Sequence, residues 1–162
     1  MDKKELLRLI PENGGGIEGI TVLKGIGYPA LKPITKSLMN NLERTPFPAN
    51  EIDSVIVEIL SDGGSSIVEE VEIALTVPRS PQKKFVLISQ ILPNWSTEEL
   101  KPIEGAIYNL VEGFSFHGID VWAIKLLIEK GLDGHTEPLK WLEFKKENYA
   151  QKIEVLNGIR IP

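Results

Sequence analysis

One pattern recurs along this 162-residue chain: an apolar run, a turn rich in glycine or polar residues, and a second apolar run. The pattern returns with a period of roughly 33 to 37 residues, over segments 20–38, 52–75, 85–110 and 119–142. Each unit is too small to bury its own apolar face, so neighbouring units must stack and share a core. We therefore predict an all-α fold, an α-solenoid of about four antiparallel helical hairpins.

The apolar residues within each run are spaced as on one face of a helix. Ile56 and Leu60, for example, lie one helical turn apart. Segments 54–57 and 84–88 leave an alternative open, because their β-branched residues are also typical of strands. We favour helices there, since both segments sit at the same phase of the repeat as the strong helix-forming segment 122–129.

Side chains that cap helices mark several helix starts. A capping residue three positions before a carboxylate allows both side chains to accept hydrogen bonds from amides at the start of a helix. Serine followed by proline suits the first helical position, where proline's missing N–H is not needed. The predicted starts are Asn50 with Asp53, Ser66 with Glu69, Ser80 with Pro81, Ser96 with Glu99, and Thr136 with Pro138.

The pattern predicts a single helical-repeat domain over residues 1–162. We place an N-terminal helix and a glycine-rich linker in 1–16, and repeats at about 17–45, 46–78, 79–113 and 114–157. Leu60, Leu92 and Leu127 occupy similar late positions in the first helices of their pairs, so we predict that all three are buried.

The glycine run at 14–19 has the spacing G-x-G-x-x-G of dinucleotide-binding loops. That motif requires a buried strand before it, whereas 3–10 has the pattern of a short amphipathic helix. We therefore interpret the run as a flexible linker and expect no cofactor.

Composition restricts the compartment and the class of site. The chain contains no cysteine, which excludes disulfides and thiolate metal or redox sites and agrees with a reducing compartment. The N-terminal segment has too short an apolar stretch for a signal peptide, and no run approaches the ~18 apolar residues of a membrane span. We expect a soluble cytoplasmic protein without a membrane partner.

The succession of apolar positions and turns in 85–93, 100–103 and 120–127 resembles bacterial HEAT-like helical-repeat domains, including small members without a characterised function. The resemblance implies a helical superhelix and protein binding as its usual role. It implies no catalytic residue.

No motif predicts an enzyme or a metal site. The chain lacks a nucleophile elbow and a Walker-type lysine loop. Potential metal ligands occur at Asp133, His135 and Glu137, and at His117 with Asp120. Two histidines do not by themselves form the usual three-residue site, and polar turns beside helix starts explain both segments.

Charge is distributed unevenly along the chain. No lysine or arginine occurs between Arg44 and Arg79, although the formal net charge of the whole protein is only −5. This segment contains seven carboxylates: Glu51, Asp53, Glu58, Asp62, Glu69, Glu70 and Glu72. A solvated helix face, with some carboxylates in first turns where the helix dipole favours them, explains such a cluster. A patch that attracts a basic partner is the functional alternative.

Two further features bear on partners. Trp95 lies in a Pro-Asn-Trp-Ser turn, and an exposed aromatic residue in a turn is typical of an anchor for a partner. Nucleic acid is a poor fit, because a solenoid that binds phosphates needs a basic stripe. The only hints of one are Lys83, Lys84, Lys140, Lys145 and Lys146.

These observations favour a non-enzymatic protein-binding module with a basic protein as its partner. Glu58, Asp62, Glu69, Glu70 and Trp95 are the candidate binding residues. The most concrete version is a bacterial immunity-type protein that neutralises a basic toxin domain. A general adaptor or scaffold is the alternative, and a HEAT-like enzyme that processes nucleic acid is the third hypothesis.

Overall fold

The computed structural model of the protein describes residues 1–45, 50–112 and 118–132. Within these ranges the chain forms nine α-helices joined by 3₁₀ and π-helical segments, and no strand. The α-helices are α1 (Lys3–Arg8), α2 (Gly16–Ile26), α3 (Thr35–Asn40), α4 (Glu51–Gly63), α5 (Val68–Thr76), α6 (Pro81–Val86), α7 (Thr97–Leu100), α8 (Glu104–Glu112) and α9 (Ile119–Glu129).

The predicted all-α class is confirmed. The alternative of strands at 54–57 and 84–88 is wrong, because 54–57 lies within α4. Segment 84–88 covers the end of α6 and the start of the π-helical segment Leu87–Ile91 that continues it.

Helices that open successive sequence units lie beside one another. Helix α2 packs against α4, α4 packs against the π-helical segment after α6, and that segment packs against α9. Among the intervening helices, α5 packs against α8, and α8 packs against α9. One hydrophobic cluster joins the described helices, from Leu6 in α1 to Leu132 after α9.

The predicted core positions are confirmed. Leu60, Leu92 and Leu127 are each completely buried in this cluster. The periodic apolar pattern therefore identified correctly which face of the chain is turned inward at these three positions.

Three of the predicted helix starts carry the expected residue. Asn50 accepts a hydrogen bond from the Asp53 amide at 2.8 Å and caps α4. Ser96 and Glu99 form a complete capping box at the start of α7. Pro81 occupies the first position of α6, as predicted from its missing N–H.

Two predicted caps are wrong. Ser66 lies inside the 3₁₀ helix Gly64–Ile67, which leads into α5 without a side-chain cap. Ser80 has left-handed backbone, φ 64°, and also makes no capping bond. Both failures have one cause: an N-cap side chain reaches its amide from extended backbone, and neither residue has it. The predicted start at Thr136 lies outside the described residues.

The predicted flexible linker is instead the packed start of α2. Gly15 precedes the helix, and Gly16 and Gly19 belong to it. A Cβ atom built on Gly15 would lie 1.9 Å from the Leu9 carbonyl oxygen, and one built on Gly19 would lie 2.3 Å from the same atom. Glycine is therefore required at these positions because the backbone of residue 9 crosses this face of α2.

Replacing Gly19 with alanine is expected to lower the free energy of unfolding by about 1–3 kcal/mol, because the added methyl group meets backbone that cannot rotate away. Gly25 lies on the same helix and has no atom within 4 Å of an added Cβ, which makes it a matched control. We expect Gly25→Ala to raise stability by up to about 1 kcal/mol through helix propensity. Urea denaturation of both variants tests this contrast, and equal stabilities would contradict the close approach of Leu9.

Candidate partner-binding surface

Helices α4 and α5 carry the acidic segment identified in the sequence. Five of its seven carboxylate residues are exposed, namely Glu51, Glu58, Asp62, Glu69 and Glu72. Asp53 and Glu70 are half-buried. Burial raises the pKa of Asp53, partly offset by the hydrogen bond with Asn50 and by the charge of Arg44.

Glu58 and Asp62 lie one turn apart on α4 and share a groove of about 400 Å³. Lys24 of α2 lines the same groove and forms an ion pair with Glu58. The hydrogen bond and the charge of Glu58 raise the pKa of Lys24. One of the two carboxylates is therefore already compensated within the protein, which leaves Asp62 as the less neutralised charge of this groove.

Glu69 and Glu70 lie in the first turn of α5, where the helix dipole favours negative charge. Glu69 is exposed, whereas Glu70 lines a second groove with no lining residue in common with the first. The structure thus brings Glu58 together with Asp62 but places Glu70 in different surroundings. One of the Glu70 oxygens, Oε2, is buried and has no hydrogen-bond partner among the described residues.

The second groove, which we call the α3–α5 groove, has a volume of about 260 Å³. Its lining residues are Lys36, Met39, Asn40, Glu70, Ile73, Ala74, Val77 and Lys83. Four of them come from α5 and the residue after it, at the i, i+3, i+4 and i+7 positions that share one helix face. Sequence analysis missed this groove, because its walls come from α3, α5 and α6.

Ile73 is the most unusual residue of the α3–α5 groove. It is a large aliphatic side chain that is 62% exposed, although the apolar residues around it in sequence, Val71, Ala74 and Leu75, are buried. An isoleucine directly after the glutamates at 69, 70 and 72 is the signal that the sequence contains.

The prediction that Trp95 is an exposed anchor is wrong. Its side chain is completely buried, and its indole Nε1–H donates to the Leu60 carbonyl oxygen at 3.4 Å. Leu60 lies in the last turn of α4, where carbonyl groups lack partners within the helix. Trp95 therefore caps the C-terminal end of α4 and leaves no aromatic surface for a partner.

Neighbours of Trp95 hold the same helix end. Asn94 donates to the Ser61 hydroxyl at 3.1 Å, and the Ser65 amide donates to Glu99 Oε2 at 3.3 Å. Glu99 Oε1 also accepts from the Ser96 amide at 3.0 Å. The bond from the Ser96 amide is the main cause of the lowered pKa of Glu99. The Glu99 carboxylate thus joins the start of α7 to the turn after α4.

Replacing Glu99 with glutamine is expected to lower the free energy of unfolding by about 1 kcal/mol at pH 7, since one neutral amide replaces a carboxylate that accepts two N–H bonds. The pKa of Glu99 is lowered on folding, so its contribution is complete above its ordinary value of about 4.3 and is lost as the pH falls through the folded value. The stability difference between the native protein and Glu99→Gln should therefore shrink on acidification.

Urea denaturation of both proteins between neutral pH and pH 3 measures that difference. Glu98→Gln is the matched control, because Glu98 occupies the same helix with its side chain 83% exposed. A stability difference for Glu99→Gln that stays constant with pH would contradict the role of the ionised carboxylate.

The described residues offer neither a metal site nor a membrane-spanning helix. They contain no group of three histidine, cysteine, aspartate or glutamate side chains arranged to hold a metal ion. His117, Asp133, His135 and Glu137 lie outside the described ranges, and Asp120 is buried in α9. No helix in the described part of the chain is both long and apolar enough to cross a bilayer.

Comparison of the chain with protein-family models, with curated proteins and with solved structures found no match.

Proposed function

We propose that this protein is a non-enzymatic protein-binding module built from stacked HEAT-like helical hairpins. Support for the stacking comes from side-chain hydrogen bonds whose partners lie close to one sequence period apart. These bonds join Lys24 to Glu58, Arg44 to Glu12, Glu99 to Ser65, Gln82 to Thr45, Asn94 to Ser61, Trp95 to Leu60, and Thr97 to Lys130. Their sequence separations run from 32 to 37 residues.

Such regular spacing is expected when each unit contacts its neighbour in the same register. The contacts of α2 with α4, of α4 with the π-helical segment, and of that segment with α9 follow the same order. A stack of this kind presents an extended surface, which is the usual reason that helical repeats serve as binding scaffolds.

The partner that we propose is a basic protein. The observation that carries this proposal is the exposure of five carboxylate residues on α4 and α5, within a segment that contains no lysine or arginine. A surface of one sign raises the rate at which an oppositely charged partner associates, even where it adds little affinity. An immunity-type protein that neutralises a basic toxin domain is the most specific form of this function, and a general adaptor is the broader one.

The experiment begins with capture of the partner from the native host, followed by measurement of association rates. Glu69→Lys is expected to slow association several-fold at low salt and to reduce the dependence of the rate on salt. Stability should remain almost unchanged, because exposed charges contribute little to it.

Glu5→Lys provides the matched control. Glu5 is also exposed in a first helical turn, but on α1, so the two substitutions change the net charge equally. Equal association rates for the two variants over a range of salt concentrations would show that the acidic segment is an ordinary solvated helix face and does not attract the partner. A toxin reading frame next to the gene would favour the immunity-type form over the adaptor.

A further inference from the structure

We infer that the α3–α5 groove is the place where the partner docks, and that it receives an apolar side chain from a basic segment of that partner. This inference rests on the proposed function and adds to it a site and the chemistry of the occupant. It starts from Ile73, which is 62% exposed at the edge of the groove.

The walls of the α3–α5 groove suit an apolar side chain. Met39, Ile73, Ala74 and Val77 supply aliphatic surface from two elements, α3 and the α5 segment. The volume of about 260 Å³ is smaller than the ~300–1,000 Å³ typical of small-molecule pockets. The groove is therefore large enough for one or two side chains of a peptide, which favours a protein partner over a small ligand.

The charges around the groove select a basic occupant. Glu69 and Glu70 lie one turn before Ile73 on α5, and Glu72 precedes it directly. Two lysines stand at the same groove, but Lys83 donates to Asn40 at 3.1 Å and lies 3.5 Å from Glu43. The charge of Lys83 is therefore compensated within the protein, which leaves Glu70 and Lys36 as the other charged residues of the lining. The exposed Glu69 and Glu72 lie next to the lining residues along α5, so negative charge predominates around the groove.

Glu70 gives this complementarity a specific position. Glu70 lines the groove, and its Oε2 atom is buried without a hydrogen-bond partner among the residues described. A buried acceptor without a partner is costly, and rotation of the partly exposed Glu70 side chain toward the groove would let a lysine, an arginine or a peptide N–H of the occupant supply the missing donor. We therefore expect the basic group to lie within one helical turn of the inserted apolar side chain.

The test uses a library of random twelve-residue peptides displayed on phage, selected for binding to the whole protein. The expected result is enrichment of peptides that carry an apolar residue with lysine or arginine within three or four positions. Ile73→Asp should weaken their binding at least tenfold. This variant adds a negative charge that would attract basic peptides, so a loss identifies the apolar contact.

Val22→Asp is the matched control, because Val22 is another exposed aliphatic residue, 46% exposed on α2. Glu70→Gln should weaken the binding of the same peptides several-fold while leaving the fold intact. Thermal unfolding of Glu70→Gln and of Ile73→Ser checks that each variant is folded. The inference is overturned if no such peptides are enriched, if Val22→Asp weakens them as much as Ile73→Asp, or if sedimentation shows a dimer of this chain that Ile73→Asp dissociates.

The two proposals can fail separately. If peptide binding depended on Glu69 but not on Ile73, the groove would be excluded as the docking site, and the proposal of a basic partner would stand. Peptides that depend on Ile73 but not on any carboxylate would overturn both the basic occupant and the electrostatic part of the proposed function.

Discussion

Replacing Trp95 with alanine is expected to lower the free energy of unfolding by about 3–5 kcal/mol, which is typical of a large aromatic residue removed from a core. The side chain is completely buried, and it supplies the donor for the Leu60 carbonyl group at the end of α4. An exposed anchor would show the opposite behaviour, with a loss of partner binding and almost no change in stability.

Trp95→Phe separates the two parts of this effect. Phenylalanine keeps much of the apolar burial but removes the indole N–H, so the Leu60 carbonyl group loses a partner at a cost of about 1–3 kcal/mol. Urea denaturation of both variants measures the two losses. A destabilisation below about 1 kcal/mol for Trp95→Ala would contradict the burial of this side chain.

The error in predicting Trp95 shows that a local sequence pattern can identify a turn without determining the exposure of its side chains. The turn Pro-Asn-Trp-Ser was correctly placed, because Trp95 has extended backbone after the 3₁₀ helix Leu92–Asn94. The sequence of the turn does not determine whether the Trp95 side chain is exposed. Its burial depends on packing against α4, where its hydrogen-bond partner Leu60 lies 35 residues earlier in the chain. A turn that packs against a neighbouring helix end has the same local sequence as one that faces solvent.

Glycine presented a similar ambiguity. The run at 14–16 permits a flexible linker, and it equally permits the close approach of another backbone segment. Only the position of the Leu9 carbonyl group, close to Gly15 and Gly19, distinguishes the two interpretations. Periodic apolar positions were more informative, because the helical period itself selects the inward face.

The acidic segment was predictable in composition but not in arrangement. Counting charges identified the glutamates of α4 and α5, yet it could not show that Lys24 pairs with Glu58. It also could not show that Glu70 and Ile73 line one groove together with Met39 of α3. These juxtapositions depend on how α2, α3 and α6 meet the two acidic helices, and no local pattern records that geometry.

Truncating Leu60, Leu92 or Leu127 to alanine is expected to lower the free energy of unfolding by about 2–5 kcal/mol in each case. All three side chains are completely buried in the shared hydrophobic cluster, so each substitution removes apolar contacts and leaves a cavity. Because a domain of this size has a total stability of about 5–15 kcal/mol, one such loss is a large fraction of it.

Ile73→Ala is the control for these truncations. It removes a similar number of carbon atoms from a side chain that is 62% exposed, so its effect on stability should stay within about 0.5 kcal/mol. Urea denaturation of the four variants provides the comparison. If the truncated leucines unfolded at the same urea concentration as Ile73→Ala, the inward face assigned to α4, the 3₁₀ helix Leu92–Asn94 and α9 would be incorrect. If only one leucine behaved like Ile73, the register of that one unit would be in error while the shared core of the others remained.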